Sequence, residues 1–132
     1  MFDDPFELAD VIVAYDYLDD VIVFNPDHEA WADMMSYLRQ RPRFFSTQHP
    51  QHIVRHELGH VAHYRLLTPE ERSLIWHADL ERDQRALVRK VSNRATWNAK
   101  EFVAEVYAGL WVNTEYDRDV MTLFERFRGP WP

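Results

Sequence analysis

The chain has 132 residues, with 22 acidic and 15 basic side chains and a formal net charge of −7. This length suits one domain with a single hydrophobic core, so we predict one domain over residues 1–132. The negative charge disfavours binding to a phosphate backbone, and nucleic acid is not expected as a partner. The absence of cysteine excludes thiolate metal ligands and cysteine nucleophiles, so any metal must be bound by His, Asp or Glu.

The N-terminal sequence indicates neither export nor membrane insertion. Residues 1–10, MFDDPFELAD, are acidic where a signal peptide requires a basic start. No apolar run approaches the roughly 20 residues that a membrane-spanning helix needs. We therefore expect no signal peptide, no transmembrane segment, no membrane partner and a cytoplasmic location.

The first quarter of the chain predicts a hairpin followed by a helix. Two β-branched runs flank Asp19 and Asp20, which favours two short strands joined by a turn between Val11 and Phe24. A helix is predicted next, from Asp27 to about Gln40, because apolar residues recur at helical spacing: Trp31, Met34, Met35 and Leu38.

Helices are predicted for the rest of the chain. One runs from near Pro50 to about Leu66, and a long charged one opens at the capping box Thr68-Pro69-Glu70-Glu71 and continues through Val88. Two more are expected from Asn98 to about Val112 and from the Thr114–Asp117 segment through Phe127. Four or five helices with a small N-terminal sheet or hairpin predict an α+β domain dominated by helix.

The sequence His56-Glu57-Leu58-Gly59-His60 carries the strongest chemical signal. Its two imidazoles lie one turn apart on the same helix face and can bind one metal ion, for which neutral histidine favours Zn²⁺. Glu57 is displaced around the helix, where it can reach a water molecule on the metal and serve as a general base. The alternative is a polar helix face with two solvated histidines.

A third zinc ligand is expected downstream. Glu101 and Glu105 lie at i and i+4 in KEFVAEVYAG, on one face of a predicted helix. If Glu101 binds the metal, Glu105 can accept the outward N–H of His56 and fix the orientation of that ring. The alternative is a pair of surface carboxylates on an amphipathic helix.

Other polar residues near the motif have weaker signals. His63 follows His60 by three residues, so it is a substitute ligand, a substrate contact or, more commonly, a partly exposed histidine without a role. For Tyr64, transition-state contact and core packing are the two alternatives, with packing the commoner. No role is assigned to the remaining histidines: His28, His49, His52 and His77.

HELGH followed by EFVAE resembles the gluzincin zinc metallopeptidases. It looks most similar to the anthrax lethal factor-like branch and to small zincin-like domains encoded by phages, over roughly Ile53 to Leu110. The resemblance implies a zincin-like minimal domain with His56, His60 and Glu101 as ligands, Glu57 as the catalytic base and Glu105 as a support for the ligands. The strand over residues 21–24 would then resemble the edge strand along which such enzymes bind an extended substrate.

The chain departs from this family at one position. Lethal factor-like enzymes carry a tyrosine seven residues before the ligand glutamate, where it helps to stabilise the oxyanion, and the matching residue here is Arg94. A guanidinium can supply the same positive electrostatic field, although it has no proton to give. Arg94 is therefore a candidate catalytic residue.

Two functions from different classes follow. The first is a zinc metalloendopeptidase with one Zn²⁺ per chain and a protein or peptide substrate. The alternative is a catalytically inactive zincin-fold module, such as a phage virion or assembly component, which would place the protein in a virion and in a larger protein assembly. Partner binding without a metal is the third alternative.

Overall fold

The computed structural model describes residues 11–132 and has an α+β architecture, as predicted. Short single turns also occur at Glu29–Trp31 and Arg94–Thr96, which are 3₁₀-helical, and at Arg72–Trp76, which is π-helical. The two strands and the α-helical segments of this part of the chain are, in order, β1 (Val13–Asp16), β2 (Val21–Phe24), α1 (Met34–Arg39), α2 (His52–Leu66), α3 (Pro69–Glu71), α4 (Arg82–Val88), α5 (Ala99–Trp111) and α6 (Arg118–Arg126).

The predicted N-terminal hairpin is confirmed. β1 pairs antiparallel with β2, and Val13 lies opposite Phe24. Within the turn, Asp20 adopts a φ of 54°, a left-handed conformation that aspartate tolerates better than most residues. The hairpin packs onto α2, so it covers the helix that carries the HELGH motif.

The first predicted helix is shorter than the sequence pattern indicated. α1 begins at Met34 because Asp33 has an extended φ of −154° and its carboxylate accepts the Ser36 N–H at 3.1 Å, which caps a new helix. The residues before Asp33 form only the single turn at Glu29–Trp31. The cap at Asp33 therefore sets the start of the helix, and the apolar periodicity that predicted a start at Asp27 does not.

The prediction of one long helix from Thr68 through Val88 is wrong. The Thr68 capping box is present, but the helix ends at Trp76, whose side chain is buried. The Ala78 carbonyl oxygen then accepts the Ala99 N–H at 3.2 Å, so this segment bonds to the start of α5 instead of continuing a helix. A second capping box, between Glu81 and Gln84, starts α4.

The helices predicted around the motifs are confirmed within two residues. α2 and α5 pack against each other more extensively than any other pair of elements in the described chain. At their contact, Gly59 lies against the Tyr107 ring, and a Cβ on Gly59 would come within 2.9 Å of Tyr107 Cδ1. α6 closes the main core, in which Phe124 belongs to the same buried cluster as Phe102 and Val106 of α5.

The described helices are also short. The longest, α2, has 15 residues. Between residues 11 and 132, none combines the length and the hydropathy of a membrane-spanning helix.

Candidate metal centre

Helix α2 brings the two motif histidines together. His56 Nε2 and His60 Nε2 are 3.1 Å apart, and both side chains are buried. The one-turn spacing of the pair within an uninterrupted α-helix produces this convergence. A solvated polar helix face, the alternative for the motif, does not describe these residues.

Helix α5 contributes Glu101 to the same point. Glu101 Oε2 lies 2.7 Å from His56 Nε2, and Glu101 Oε1 lies 3.3 Å from His60 Nε2. The start of α5 is fixed here because Asn98 Oδ1 accepts the Glu101 N–H at 2.9 Å. Glu101 is buried as well, so it is not part of a surface carboxylate pair.

These three side chains could hold a metal ion. Two ligand atoms at about 2.0–2.1 Å from a tetrahedral zinc lie about 3.3–3.4 Å apart. The separation of the two imidazole nitrogens is 3.1 Å, and the separation of His60 Nε2 from the carboxylate is 3.3 Å, so both are close to that value. The third separation, 2.7 Å between His56 Nε2 and Glu101 Oε2, is shorter, as expected of a direct hydrogen bond that a metal ion would replace. The donor set of two imidazoles and a carboxylate fits a divalent transition metal without identifying it.

Glu105 organises the outer side of His56. Its Oε2 accepts the His56 Nδ1–H at 2.6 Å, and its Oε1 accepts the Ser46 N–H and the Ser92 hydroxyl, each at 2.8 Å. Glu105 is completely buried. The carboxylate thus holds the ring of His56 with Nε2 directed towards His60 and Glu101, the support that a ligating histidine usually has.

His52 is a residue that the sequence interpretation missed. Its Nε2–H donates to Glu105 Oε2 at 2.8 Å, and its Nδ1 accepts the Thr47 hydroxyl at 2.8 Å. His52 is completely buried and lies one turn before His56. The four-residue spacing of His52, His56 and His60 was the signal that could have found it.

Protonation at the centre is governed by the two carboxylates. Burial alone lowers the pKa of His56, but the negative charges of Glu101 and Glu105 outweigh it and raise that pKa to about 10. Burial alone raises the pKa of Glu101, yet the neighbouring His60 and His56 lower it well below its usual range. Positive charge between the carboxylates is therefore favoured, whether a proton or a metal ion supplies it.

Glu57 lies beside the converging ligand atoms and is held by the hairpin. Its Oε2 accepts the Tyr15 N–H of β1 at 2.9 Å, across 42 residues of sequence. Glu57, His56 and His60 form one group in which a ligand atom from each lies within 4.8 Å of the others. The carboxylate is therefore fixed next to the centre.

Arg94 contacts the proposed third ligand. Its Nε donates to Glu101 Oε2 at 3.2 Å, and its guanidinium stacks on the Trp97 ring at 4.6 Å. The contact with an oxyanion stays a prediction, since the structure shows only that Arg94 neutralises and orients Glu101.

Two further residues of α2, His63 and Tyr64, pack against other parts of the fold and not at the proposed metal centre. His63 is completely buried and its Nε2–H donates to the Phe127 carbonyl oxygen at 2.8 Å, so the expectation of a partly exposed side chain is wrong. Tyr64 packs 5.0 Å from the Trp76 ring, in agreement with a packing role. His63 does not belong to either group of converging ligand atoms in residues 11–132.

His60 is oriented by packing. Its Nδ1 is buried and has no hydrogen-bond partner among the described residues. Its ring instead meets the Trp76 ring edge-on, with centroids 5.7 Å apart. The two histidines are therefore fixed by different means, His56 by Glu105 and His60 by an aromatic neighbour.

An open cavity of about 970 Å³ exposes this centre to solvent. His56, Glu57, His60 and Glu101 line it, and the neighbouring wall is residues 11–15, which include most of β1. The strand beside the cavity is thus β1 and not residues 21–24, as the sequence resemblance implied.

A second group of potential ligand atoms consists of His52, His56 and Glu105. Its members already bond to one another, and Glu105 also accepts from Ser46 and Ser92. His52 and Glu105 do not line the cavity. The ligand atoms that are more accessible to a metal ion therefore lie on the Nε2 side of His56, where His60 and Glu101 converge.

Comparisons with protein-family models, with curated proteins and with solved structures yield no match. Any assignment of function therefore depends on the arrangement of the side chains described above.

Proposed function

We propose that this protein is a zinc-dependent metalloendopeptidase of the gluzincin type. The observation that carries the proposal is the convergence of His56 Nε2, His60 Nε2 and the Glu101 carboxylate beside Glu57 at an open cavity. Two helices far apart in the sequence, α2 and α5, produce this arrangement. Glu105 orients the ring of His56 by accepting its Nδ1–H. A purely structural polar cluster has no need of a cavity.

The ligand set supports zinc, with about one ion per chain. Catalytic zinc sites use three protein ligands of the His and Glu type and leave a fourth position open. Here the three proposed ligands and Glu57 line the same open cavity, so a water molecule could reach an ion held there. A bound Zn²⁺ supplies Lewis-acid chemistry, which polarises the carbonyl group of a peptide bond and makes a water molecule more acidic.

The chain's own residues then perform the proton transfers. Glu57 takes the proton of the attacking water and delivers it to the nitrogen of the departing amine. The Tyr15 N–H holds Glu57 Oε2, which leaves Oε1 to receive that proton. Arg94 orients Glu101 through its Nε–H, and its guanidinium provides positive charge where the oxyanion forms.

The fold is consistent with a zincin-like minimal domain. The motif helix α2, the ligand helix α5 and a strand beside the cavity occur in the order that the resemblance implies. A peptide or protein substrate is therefore proposed. An inactive zincin module in a larger assembly, for instance in a phage particle, is the outcome if no peptide is cleaved.

The test is the Glu57→Gln variant. It keeps the size of the side chain and all three proposed ligands but cannot take a proton, so zinc content and fold should be unchanged while cleavage of a proteome-derived peptide library is lost. Glu70→Gln is the matched control, because Glu70 is exposed on α3, and it should cleave like wild type. Equal cleavage by wild type and Glu57→Gln would contradict the general-base assignment.

A further inference from the structure

The cavity has a charge balance opposite to that of the whole chain. The chain carries a net −7, whereas the part of the cavity wall that the structure describes carries three basic side chains, Arg41, Arg94 and Lys100, and two carboxylates, Glu57 and Glu101. A divalent cation held by the ligands would make the cavity more positive still. Field lines concentrate in such a cleft, so it attracts anionic groups.

Within residues 11–132, the edge of strand β1 that faces away from β2 pairs with no other strand, and its Tyr15 N–H bonds to Glu57. The Ile12 carbonyl accepts the Asn25 N–H on the β2 side, while the Tyr15 N–H points away from β2 to Glu57. Because successive backbone groups alternate in an antiparallel pair, the groups of Val13 and Tyr15 lie along the open edge. An extended peptide can add to this edge and pass beside Glu57.

Different side chains line the two ends of β1. Near its start, Ile12 and Val13 pack with Phe44 and Phe45. Near its end, Tyr15 packs with Trp76 and Tyr17. Lys100 belongs to this second end, since its Nζ lies 5.0 Å from the Trp76 ring and 5.9 Å from the Tyr17 ring.

Among the described residues, Lys100 is the cation of the cavity wall that forms no ion pair with a carboxylate. Arg94 bonds to Glu101, and Arg41 lies 3.9 Å from Glu29. In residues 11–132, no carboxylate oxygen lies within 4.0 Å of Lys100 Nζ. Lys100 is also in the first turn of α5, where the helix dipole disfavours a cation. A lysine in this position gains stability when an anion binds it.

We propose that the cavity selects peptides that carry an Asp or Glu side chain, and that Lys100 binds this carboxylate while the peptide backbone lies along β1. The inference rests on the proposed peptidase function, because it names the substrate class of the same site. The Trp76 and Tyr17 rings lie 5.0 and 5.9 Å from Nζ, and apolar neighbours of this kind lower the local dielectric constant and strengthen a contact between charges.

The test measures binding rather than cleavage. Zinc-loaded Glu57→Gln protein is titrated with fluorescent decapeptide pools that are acetylated and amidated at their ends and carry Glu, Gln or Lys at one scanned position. The Glu pool should bind roughly tenfold or more tightly than the Gln pool, as expected for one charge-assisted hydrogen bond, and the Lys pool most weakly. Added salt should reduce the preference for Glu.

Variants of Lys100 connect the preference to this side chain. Adding Lys100→Gln should abolish the difference between the Glu and Gln pools, Lys100→Glu should favour the Lys pool, and Lys100→Arg should retain the Glu preference. Lys90→Gln is the matched control, because Lys90 is the other lysine of the chain and bonds to Asp117 outside the cavity. It should behave like the parent protein.

The outcomes separate this inference from the proposed function. Equal binding of the Glu and Gln pools, no measurable binding, or a Glu preference that survives in Lys100→Gln overturns the inference. A Gln pool with a free C-terminus that binds through Lys100 as tightly as the blocked Glu pool also overturns it, since the carboxylate would then be terminal. Selective binding without cleavage by wild type would contradict the peptidase and leave the inference standing.

Discussion

At the scale of single residues, Glu101 and Glu105 are both buried carboxylates on one face of α5, yet they occupy different positions. Glu101 contacts the Nε2 atoms of both His56 and His60, whereas Glu105 contacts the outer nitrogen of His56 and also bonds to His52. The proposed centre therefore assigns metal binding to Glu101 and ring orientation to Glu105.

Removing each carboxylate should weaken zinc binding by different amounts. Glu105→Gln should lower zinc affinity about 10–100-fold, the range for a residue that orients a ligating histidine. Glu101→Gln should lower it further, because only two good ligands remain. Competition with a chromogenic chelator measures both affinities, and the reverse order would show that the two roles are exchanged.

His63 makes stability depend on pH. Burial lowers the pKa of His63 to about 4, although its hydrogen bond to the Phe127 carbonyl opposes this effect. In the unfolded chain, His63 takes up a proton near pH 6.5, whereas in the folded chain it stays neutral until about pH 4. The free energy of unfolding should therefore fall as the pH decreases from 6.5 to 4. This contribution should reach about 3 kcal/mol, taking 1.36 kcal/mol for each pH unit.

Urea unfolding of the chelator-treated protein at pH 7 and pH 4.5 tests this dependence. His63→Gln retains a donor for the Phe127 carbonyl but does not titrate in this range. Its stability should fall less than that of wild type between the two pH values, by about 2–3 kcal/mol. Parallel losses in the two proteins would contradict a neutral, buried His63.

At the scale of elements, the contact of α2 with α5 positions the centre, because His56 and His60 lie on one helix and Glu101 on the other. Gly59 lets the two helices approach, since a Cβ there would lie 2.9 Å from Tyr107 Cδ1 and 3.2 Å from Tyr107 Cβ. Alanine has a higher helix propensity than glycine, but the overlap with a buried side chain outweighs that gain.

Gly59→Ala should therefore destabilise the protein by about 1–3 kcal/mol, as overpacking typically does. Tyr107→Ala removes the ring, so the additional cost of Gly59→Ala should largely disappear in that background. Chemical denaturation of the two single variants and the double variant gives the coupling energy. Additive effects would contradict steric contact as the cause.

The sequence predicts the bounds of a helix well where the spacing of apolar residues and the capping residues indicate the same ends. The Thr68 capping box is present, and α2 and α5 begin and end within two residues of the prediction. The break between α3 and α4 was missed because its cap is Glu81, a residue type that is uncommon at that position. The bond from Ala99 to Ala78 that accompanies the break joins segments whose contact the local pattern does not encode.

At the scale of the whole molecule, contacts between residues far apart in the sequence position the side chains of the proposed metal centre. The spacing within HELGH predicts that His56 and His60 converge, and the downstream EFVAE segment predicts Glu101 as the third ligand. The sequence alone does not show that Tyr15 bonds to Glu57 or that Ser46 and Ser92 bond to Glu105, since 42, 59 and 13 residues separate these pairs. His52 was missed for the same reason, because its partner is on α5.

Zinc content after gel filtration is the most direct test of the proposed centre. Chelator-stripped protein is loaded with excess Zn²⁺, separated from free metal and measured by elemental analysis, with His60→Ala and His52→Gln as a matched pair of buried α2 histidines. We predict about one zinc per chain in wild type and His52→Gln and far less in His60→Ala, because a zinc site needs its third protein ligand. Stoichiometric zinc in His60→Ala, or none in wild type, would contradict the proposed centre.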